Sequence, residues 1–211
     1  MTETLVLVDG ADAEVGTATK ERCHEPDGLL HRAFTALVFD GSGRLALARR
    51  DAAKPLWPGR WDGTFASHPR VSEPYVDAGE RRMPEELGAR CDLAYLHKFE
   101  YHIPYGDAGS ENEVCATLAG WTDGELRGAP GEIDAVRHVT AGQLAGEMAS
   151  DPRAFCPWML VALRLLGGSD PAALAGLPAG ARAWAGRMDG ELDRAIAAHM
   201  GPDRWRLVDE G

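Results

Sequence analysis

The chain has 211 residues and a formal net charge of −11, with 45% hydrophobic and 26% charged residues. This length suits one domain with a sizeable core, and the composition excludes an intrinsically disordered chain. The acidic balance argues against nucleic acid as a partner, because phosphate contacts need a basic face, and no apolar run is long enough to span a membrane.

The predicted elements of the first half are mainly strands. Apolar runs predict strands at residues 5–8 and 33–39, and alternating side chains predict a third strand at 44–50. The DGSG segment at 40–43 is typical of a turn, so the second and third strands are expected to form a hairpin. A loop rich in Pro, Gly and Trp follows at 51–70.

The next predicted element is a helix over residues 73–87, which Gly88 would end and whose last turn Pro84 would kink or weaken. Further strands and helices follow this helix. The strands are predicted at 93–101, 113–121 and 135–139, and the helices at 141–149 and 157–166.

Composition changes at the GGSDP segment, after which an Ala-, Gly- and Arg-rich stretch predicts a helix over residues 179–200. We therefore expect one domain at 1–168 and a C-terminal helical extension at 169–211. The order of strands and helices favours an α/β sandwich. Residues 1–9 carry no basic side chain, so no signal peptide is expected and a cytoplasmic location is predicted.

Basic residues concentrate in the first half of this acidic chain, around the 51–70 loop and the helix after it. Arginine suits phosphate because its planar fork binds two oxygens at once. As a group they predict a small anion pocket, although each one alone is also compatible with a solvated surface. They are Lys20, Arg49, Arg50, Lys54, Arg60, Arg81 and Arg82.

A second set of residues is typical of metal ligands. His24, His31 and His68 lie in or near loops, and Glu111 and Glu113 are two apart at the start of a strand, so their side chains point the same way. Imidazole with carboxylate suits Mn²⁺, Zn²⁺ or Fe²⁺ better than Ca²⁺. The alternative is a set of ordinary surface and core side chains, because such a pair of glutamates is common on solvated strands.

Four segments in order resemble the type 1 isopentenyl-diphosphate isomerases, a family of the Nudix superfamily. They are HEPDGLLHRAF, LALARRDAAKPLWPGRWDGTFASHP, GSENEVCA and FCPWML. The resemblance runs from about residue 5 to 166 and leaves the C-terminal extension outside. It implies a Nudix-type α/β/α sandwich with a mixed sheet, to which the helical extension is added.

The resemblance also implies roles for individual residues. Tyr101 and Glu113 match one arm of the acid–base machinery, and Trp158 matches the aromatic residue that faces a carbocation. Glu86 matches the glutamate that helps to hold Mg²⁺ at the diphosphate. Diphosphate-binding positions are matched by Lys20, Arg50, Lys54 and Arg82. The metal site for Mn²⁺ or Zn²⁺ is matched by His24, His31, His68, Glu111 and Glu113.

The main departure from the family is Ala66, which stands where the family has a cysteine as its second acid–base group. A methyl group cannot transfer a proton, and such groups typically contribute ~10²–10⁴-fold to a rate. None of the four cysteines lies in this loop. Cys115 is placed on the opposite register from Glu113 and is assigned to buried packing.

The segment that ends the predicted helix combines features of Nudix hydrolases and of the isomerases. Its doubled Glu85-Glu86 resembles the hydrolytic version of the Nudix box, in which carboxylates bind Mg²⁺ and activate water. Arg82, in contrast, resembles the isomerases, which have an arginine where the hydrolases have a glutamate.

Three functions stay open on these residues. The first is an enzyme that protonates the alkene of a small-molecule prenyl diphosphate, followed by isomerisation, cyclisation or hydration. The second is a Nudix pyrophosphohydrolase, and the third is a non-catalytic diphosphate-binding protein. We expect no nucleic acid or membrane partner, and a monomer or a homodimer.

Overall fold

The computed structural model describes residues 3–208, which form a ten-stranded mixed sheet with helices on both faces. The strands are β1 (Thr4–Val8), β2 (Glu14–Thr19), β3 (His31–Phe39), β4 (Leu45–Arg50), β5 (Trp61–Asp62), β6 (Phe65–Ser67), β7 (Leu93–Pro104), β8 (Ser110–Trp121), β9 (Ile133–Val139) and β10 (Trp205–Leu207). The helices are α1 (Lys20–Cys23), α2 (Tyr75–Leu87), α3 (Ala141–Ser150), α4 (Pro157–Leu165), α5 (Pro171–Leu174), α6 (Ala179–Arg182) and α7 (Asp189–Ala197). Within these residues, no helix is both long and apolar enough to cross a membrane.

The centre of the sheet is the parallel pair β3 and β8, which runs from His31 opposite Glu113 to Phe39 opposite Trp121. β7 lies antiparallel on the other side of β8. Almost every residue of β3 is buried, as expected for a strand covered on both faces. The register matters for function, because it sets polar residues of three strands side by side at one end of the sheet.

Helices cover the two faces separately. Alternate β3 residues such as Leu37 and Phe39 pack against α3, α4 and α7, while Phe34, Ala36 and Val38 pack against α2. Alternation along the strand therefore divides the core into two layers. The expected α/β/α arrangement around a mixed sheet is confirmed.

The predicted hairpin of residues 33–39 and 44–50 is wrong, except for the one residue pair next to the turn. Only Phe39 and Leu45 are opposite each other, and β4 then leaves β3 to pair along its length with β9. The side of β3 that β4 would occupy is taken by β6, so the 51–70 loop contains two short strands that the composition did not indicate. The prediction used local turn residues, whereas the pairing is set by distant strands.

Helix α2 begins at Tyr75, two residues later than predicted, and ends at Leu87 as expected. Gly88 adopts a left-handed conformation with φ 68° and donates its N–H to the Pro84 carbonyl. The helix continues through Pro84 without a break in its assignment, so the helix turn that leads to Glu86 is intact.

The predicted single helix over residues 179–200 is wrong, because the structure divides it into α6 and α7. Gly186, with φ 71°, lies between the two helices in a conformation that glycine adopts without steric cost. Trp184 is buried in the same core as Phe39, and its indole donates to the Gly43 carbonyl at 2.9 Å. β10 extends the sheet beside β7. The extension thus shares the main core, and the division of the chain at residue 168 remains a prediction.

Candidate active site

A cavity of about 420 Å³ lies on the face of the sheet that α4 covers. Its walls come from the five strands β3, β4, β6, β7 and β8 together with α1, α2 and α4. Imidazoles, carboxylates and basic side chains share this lining with the apolar side chains of Ala33, Leu56 and Trp158. Such a mixture suits a small ligand that has both an anionic group and a hydrocarbon part.

Helix α1 brings the first histidine to the cavity. It is a single turn whose N-cap is Thr19, the hydroxyl of which accepts the Arg22 N–H at 3.4 Å. Lys20 and His24 are four residues apart and therefore lie on one face of this turn, and both line the cavity.

Three histidine rings meet one carboxylate at the end of the central strands. His31 and Glu113 are opposite each other on β3 and β8, while His68 follows β6 and His24 follows α1. One ligand atom from each of these four residues lies within 4.8 Å of the other three. Two ligand atoms bonded to one ion at ~2.0–2.2 Å each lie up to about 4.4 Å apart, which is close to the separation of these four atoms. The arrangement can therefore hold one metal ion.

The hydrogen bonds of the rings fit this role. The Nδ1 atoms of His24 and His31 lie 2.7 Å from the carbonyls of Lys20 and Leu29, which places a proton on each Nδ1 and makes Nε2 the atom of each ring that can coordinate an ion. Among residues 3–208, the buried Nε2 atoms of His31 and His68 have no hydrogen-bond partner. Buried polar atoms of this kind normally have one, and a shared metal ion would supply it.

Glu111, the fifth predicted metal ligand, lies next to His24. Its Oε2 lies 3.0 Å from Nε2 of His24, and it projects from the same face of β8 as Glu113. Burial lowers the pKa of His24, but the hydrogen bond and charge of Glu111 outweigh it and raise that pKa to about 9. The metal candidates are thus brought together, except Glu86.

Glu113 sits among groups whose pKa values are strongly displaced. Burial raises the pKa of Glu113, but the neighbouring His31 and His68 rings outweigh it and hold that pKa well below its usual range. Burial lowers the pKa of His68 to about 4. Displacement of several neighbouring groups is typical of a functional site.

Tyr101 touches the other oxygen of the same carboxylate. Its hydroxyl donates to Glu113 Oε2 at 2.6 Å, and Tyr101 is opposite Glu113 on β7. Burial and the negative charge of Glu113 hold the pKa of Tyr101 well above its usual range, so the phenol keeps its proton. The pair is a buried proton donor and acceptor at the cavity wall.

The four predicted anion-binding residues also line the cavity. In the structure each has a partner within the chain. Lys20 contacts Glu3, Lys54 contacts Glu132, Arg82 contacts Glu85 and Glu86, and Arg50 contacts Asp62 and the Leu56 carbonyl.

The remaining basic candidates lie elsewhere. Arg49 pairs with Asp134 and does not join Arg50 in the described lining of the cavity. Arg81 holds Glu73 through two N–H groups and so fastens the loop before α2 to that helix. Arg60, like these two, is absent from the part of the cavity lining that residues 3–208 provide.

Glu86 is placed beside the cavity rather than in its described lining. Its Oε1 accepts from Arg82 Nε at 3.0 Å and Nη2 at 2.7 Å. A carboxylate engaged in this way holds the guanidinium in place. Its part in Mg²⁺ binding stays a prediction.

Trp158 and Ala66 both face the cavity, as expected. Trp158 is buried, and its ring contacts those of Trp57 and Tyr101 at centroid distances of 5.2 and 6.2 Å. Ala66 lies opposite Thr35 on β3 and contributes only a methyl group.

Three residues near the cavity were missed or misassigned from the sequence. Cys115 was assigned to the opposite register from Glu113, but residues two apart on a strand share a face, and Cys115 lines the cavity. Glu132 lines it as well, through its contact with Lys54. The buried Asp62 reaches both Arg50 and Trp158. The spacing of Cys115 could have been recognised, whereas the other two depend on contacts between distant segments.

Comparison with known proteins gives consistent similarities. Residues 29–159 match the family model described as the NUDIX domain. The isopentenyl-diphosphate Delta-isomerase of Haloarcula marismortui is 41% identical over 169 residues, which are 77% of this chain and 90% of that protein. The same-named protein of Halobacterium salinarum is 38% identical over 194 residues, covering 86% of this chain and 87% of the relative.

A likeness among solved structures concerns the fold alone. The crystal structure of DR0079 from Deinococcus radiodurans has a TM-score of 0.62 at 19% identity and covers 77% of this chain and 98% of that one.

Proposed function

Since the chain belongs to the isopentenyl-diphosphate isomerase family of the NUDIX superfamily, we propose that it is a metal-dependent enzyme acting on a prenyl diphosphate. The reaction begins with protonation of an alkene and continues through a carbocation. The observation that carries this proposal is the contact of Tyr101 with Glu113 beside three histidines, in a cavity that also holds four basic side chains.

The basic side chains would bind the diphosphate. Lys20, Arg50, Lys54 and Arg82 are the candidates, and charge-assisted bonds to phosphate oxygens are stronger than neutral ones. The contacts of Lys54 with Glu132 and of Arg82 with Glu86 would give way to the substrate in the bound state. Glu86, released from Arg82, would then help to hold Mg²⁺ at the diphosphate.

The Tyr101–Glu113 pair would deliver the proton: the phenol, which donates to the ionised Glu113 at 2.6 Å, is the source, and the proton lost later in the reaction would restore it. The electron pair of the alkene forms the new C–H bond, which leaves a positive charge on the more substituted carbon. Trp158 would stabilise that charge with the face of its ring. A divalent ion held by the histidines and glutamates would supply Lewis acidity that favours proton release from this pair.

The outcome of the carbocation depends on Ala66. Loss of a proton from the neighbouring carbon would complete an isomerisation, but Ala66 offers no group to accept it. Attack by a second alkene followed by proton loss would give a ring, and capture of water followed by proton loss would give an alcohol. Isomerisation, cyclisation and hydration of the prenyl chain are therefore the three proposed reactions.

The experiment that tests the proposal is product analysis by mass spectrometry. The protein is incubated with Mg²⁺ and prenyl diphosphates of five, ten and fifteen carbons. The proposal expects a product that keeps its diphosphate and has an altered carbon skeleton, a shifted double bond or an added water. Recovery of unchanged substrate with all three chain lengths would reject it.

Pyrophosphohydrolysis is the second candidate, and the doubled Glu85-Glu86 favours it. In the structure Arg82 occupies both carboxylates, with its Nη1 2.6 Å from Glu85 and its Nη2 2.7 Å from Glu86. Hydrolysis needs both carboxylates to bind Mg²⁺ and activate water, whereas the first reaction needs only Glu86 to be released. Hydrolysis is placed second for this reason and because the named relatives are isomerases. Release of inorganic phosphate in the same incubation would favour the hydrolase, and substrate binding without turnover would favour a non-catalytic binding protein.

A further inference from the structure

A buried carboxylate next to the cavity has no part in the steps above. Asp62 belongs to the short strand β5 and is 3% exposed. Its Oδ1 accepts the indole N–H of Trp158 at 2.8 Å and the Gly63 N–H at 2.7 Å, and its Oδ2 lies 3.4 Å from Arg50 Nη1. Burial of a carboxylate is costly unless it is paired and hydrogen-bonded, and these three donors offset that cost.

The backbone prepares these contacts. The Cys156 N–H donates to the Trp61 carbonyl at 2.7 Å, and Phe155 forms a bridge with Trp61. These bonds hold the beginning of α4 against β5, so Trp158, the second residue of α4, arrives beside Asp62. The contact therefore follows from the fold and not from a chance rotamer at the surface.

The two partners of Asp62 also touch each other. The Arg50 guanidinium carbon lies 5.2 Å from the centroid of the Trp158 ring, in a cation–π contact. Arg50 is further held by the Leu56 carbonyl, which accepts from its Nη2 at 2.9 Å. The three side chains form a triangle of which two corners, Arg50 and Trp158, line the cavity.

We propose that Asp62 is a positioning residue that holds the Trp158 ring and the Arg50 guanidinium at a fixed separation beside the cavity. On the proposed function, from which this inference starts, Arg50 contacts the diphosphate and Trp158 faces the carbocation. Asp62 thereby sets where the charged carbon lies relative to the diphosphate. Misplacement of catalytic geometry by about 1 Å can cost ~10²-fold in rate, so such a residue matters for turnover.

The test compares Asp62→Asn, which keeps an oxygen for the indole, with Asp62→Ala, which removes both contacts. Asp62→Ala is expected to lower kcat by about tenfold or more and to weaken pyrophosphate binding severalfold. Asp62→Asn is expected to weaken pyrophosphate binding with less effect on kcat, since only the Arg50 contact is lost. Asp134→Asn, which removes the exposed partner of the neighbouring Arg49, is the matched control and should change neither value.

Trp158→Phe separates positioning from a general structural effect. Phenylalanine keeps an aromatic face but has no N–H, so Asp62→Ala in that background should cost less than about twofold in kcat while the loss of pyrophosphate affinity persists. An equal kcat loss in both backgrounds would overturn the proposal. If Asp62→Ala does not fold, as judged by its melting curve, Asp62→Asn carries the same comparison through its pyrophosphate affinity.

The positioning role of Asp62 can be tested separately from the proposed reaction. Two measurements need no turnover: calorimetric binding of inorganic pyrophosphate, and the part of the near-ultraviolet circular dichroism that Trp158→Phe removes. Asp62→Ala should change both signals relative to the parent protein. Unchanged pyrophosphate affinity and an unchanged tryptophan signal would reject the positioning role even if product formation had confirmed the reaction.

Discussion

Tyr101 donates its hydroxyl proton to Glu113 across two paired strands, at 2.6 Å, while the other oxygen of Glu113 faces His31 and His68 at 3.5 and 3.4 Å. One carboxylate therefore belongs to a proton-transfer pair and to a metal-binding cluster. The antiparallel register of β7 and β8 produces this relationship, because it places residues 101 and 113 opposite each other.

Replacement of Glu113 by glutamine is expected to abolish turnover and leave the fold intact. A neutral amide of the same shape cannot carry the proton or act as a charged metal ligand, and loss of such a group typically costs ~10²–10⁴-fold. Turnover of prenyl diphosphates and the melting temperature are measured together. Glu14→Gln, on the exposed strand β2, is the control. Near-normal turnover of the Glu113 variant would contradict its assignment.

Introduction of a cysteine at position 66 is expected to raise the interconversion of isopentenyl and dimethylallyl diphosphates above the parent level. The thiol would supply the second acid–base group that the methyl of Ala66 lacks. Product ratios measured over time give the rate. Ala172→Cys, which adds a thiol at an exposed position of α5, should leave the rate unchanged. No gain at position 66 would mean that the pocket differs from the isomerases in more than this residue.

Glu132→Gln is expected to tighten the binding of inorganic pyrophosphate severalfold. The Glu132 carboxylate contacts Lys54 in the cavity and therefore competes with an incoming anion for that ammonium group. Titration calorimetry without added Mg²⁺ measures the dissociation constant. Glu125→Gln removes a comparable partner from the exposed Arg127 and should have no effect. Weaker pyrophosphate binding in the Glu132 variant would show that this competition is not the dominant effect.

Trp184→Ala is expected to lower the free energy of unfolding by ~3–5 kcal/mol, the range for removal of a large buried aromatic side chain. Trp184 is 4% exposed, packs on Phe39 and donates to the Gly43 carbonyl. Chemical denaturation followed by far-ultraviolet circular dichroism gives the value. Trp121→Ala, at a residue that is 45% exposed, should cost much less. Equal effects would indicate that the extension adds little to the main core.

Patterns along the chain predict those features that depend on neighbouring residues. Alternation of side chains located the central strands. The same rule placed Glu111 and Glu113 on one face, yet it was applied wrongly to Cys115. Gly88 marked the end of α2 because a left-handed residue is a local requirement.

The features that were missed depend on segments far apart in sequence. Lys54 and Glu132 are 78 residues apart, and Asp62 and Trp158 are 96 apart. β4 pairs with β9 rather than with its neighbour β3, which no turn motif can reveal. The break between α6 and α7 follows from the docking of Trp184 and Met188 into the core, which overrides a helix-forming composition.

Metal content tests the central claim most directly, because the proposed chemistry depends on one ion shared by three histidines and a glutamate. The protein is dialysed against Mn²⁺ or Zn²⁺, then against buffer, and its metal is measured by mass spectrometry. We expect about one tightly held ion per chain, retained by His138→Asn at an exposed position and lost by His68→Asn. Absence of metal after reconstitution, or equal retention by both variants, would contradict the account.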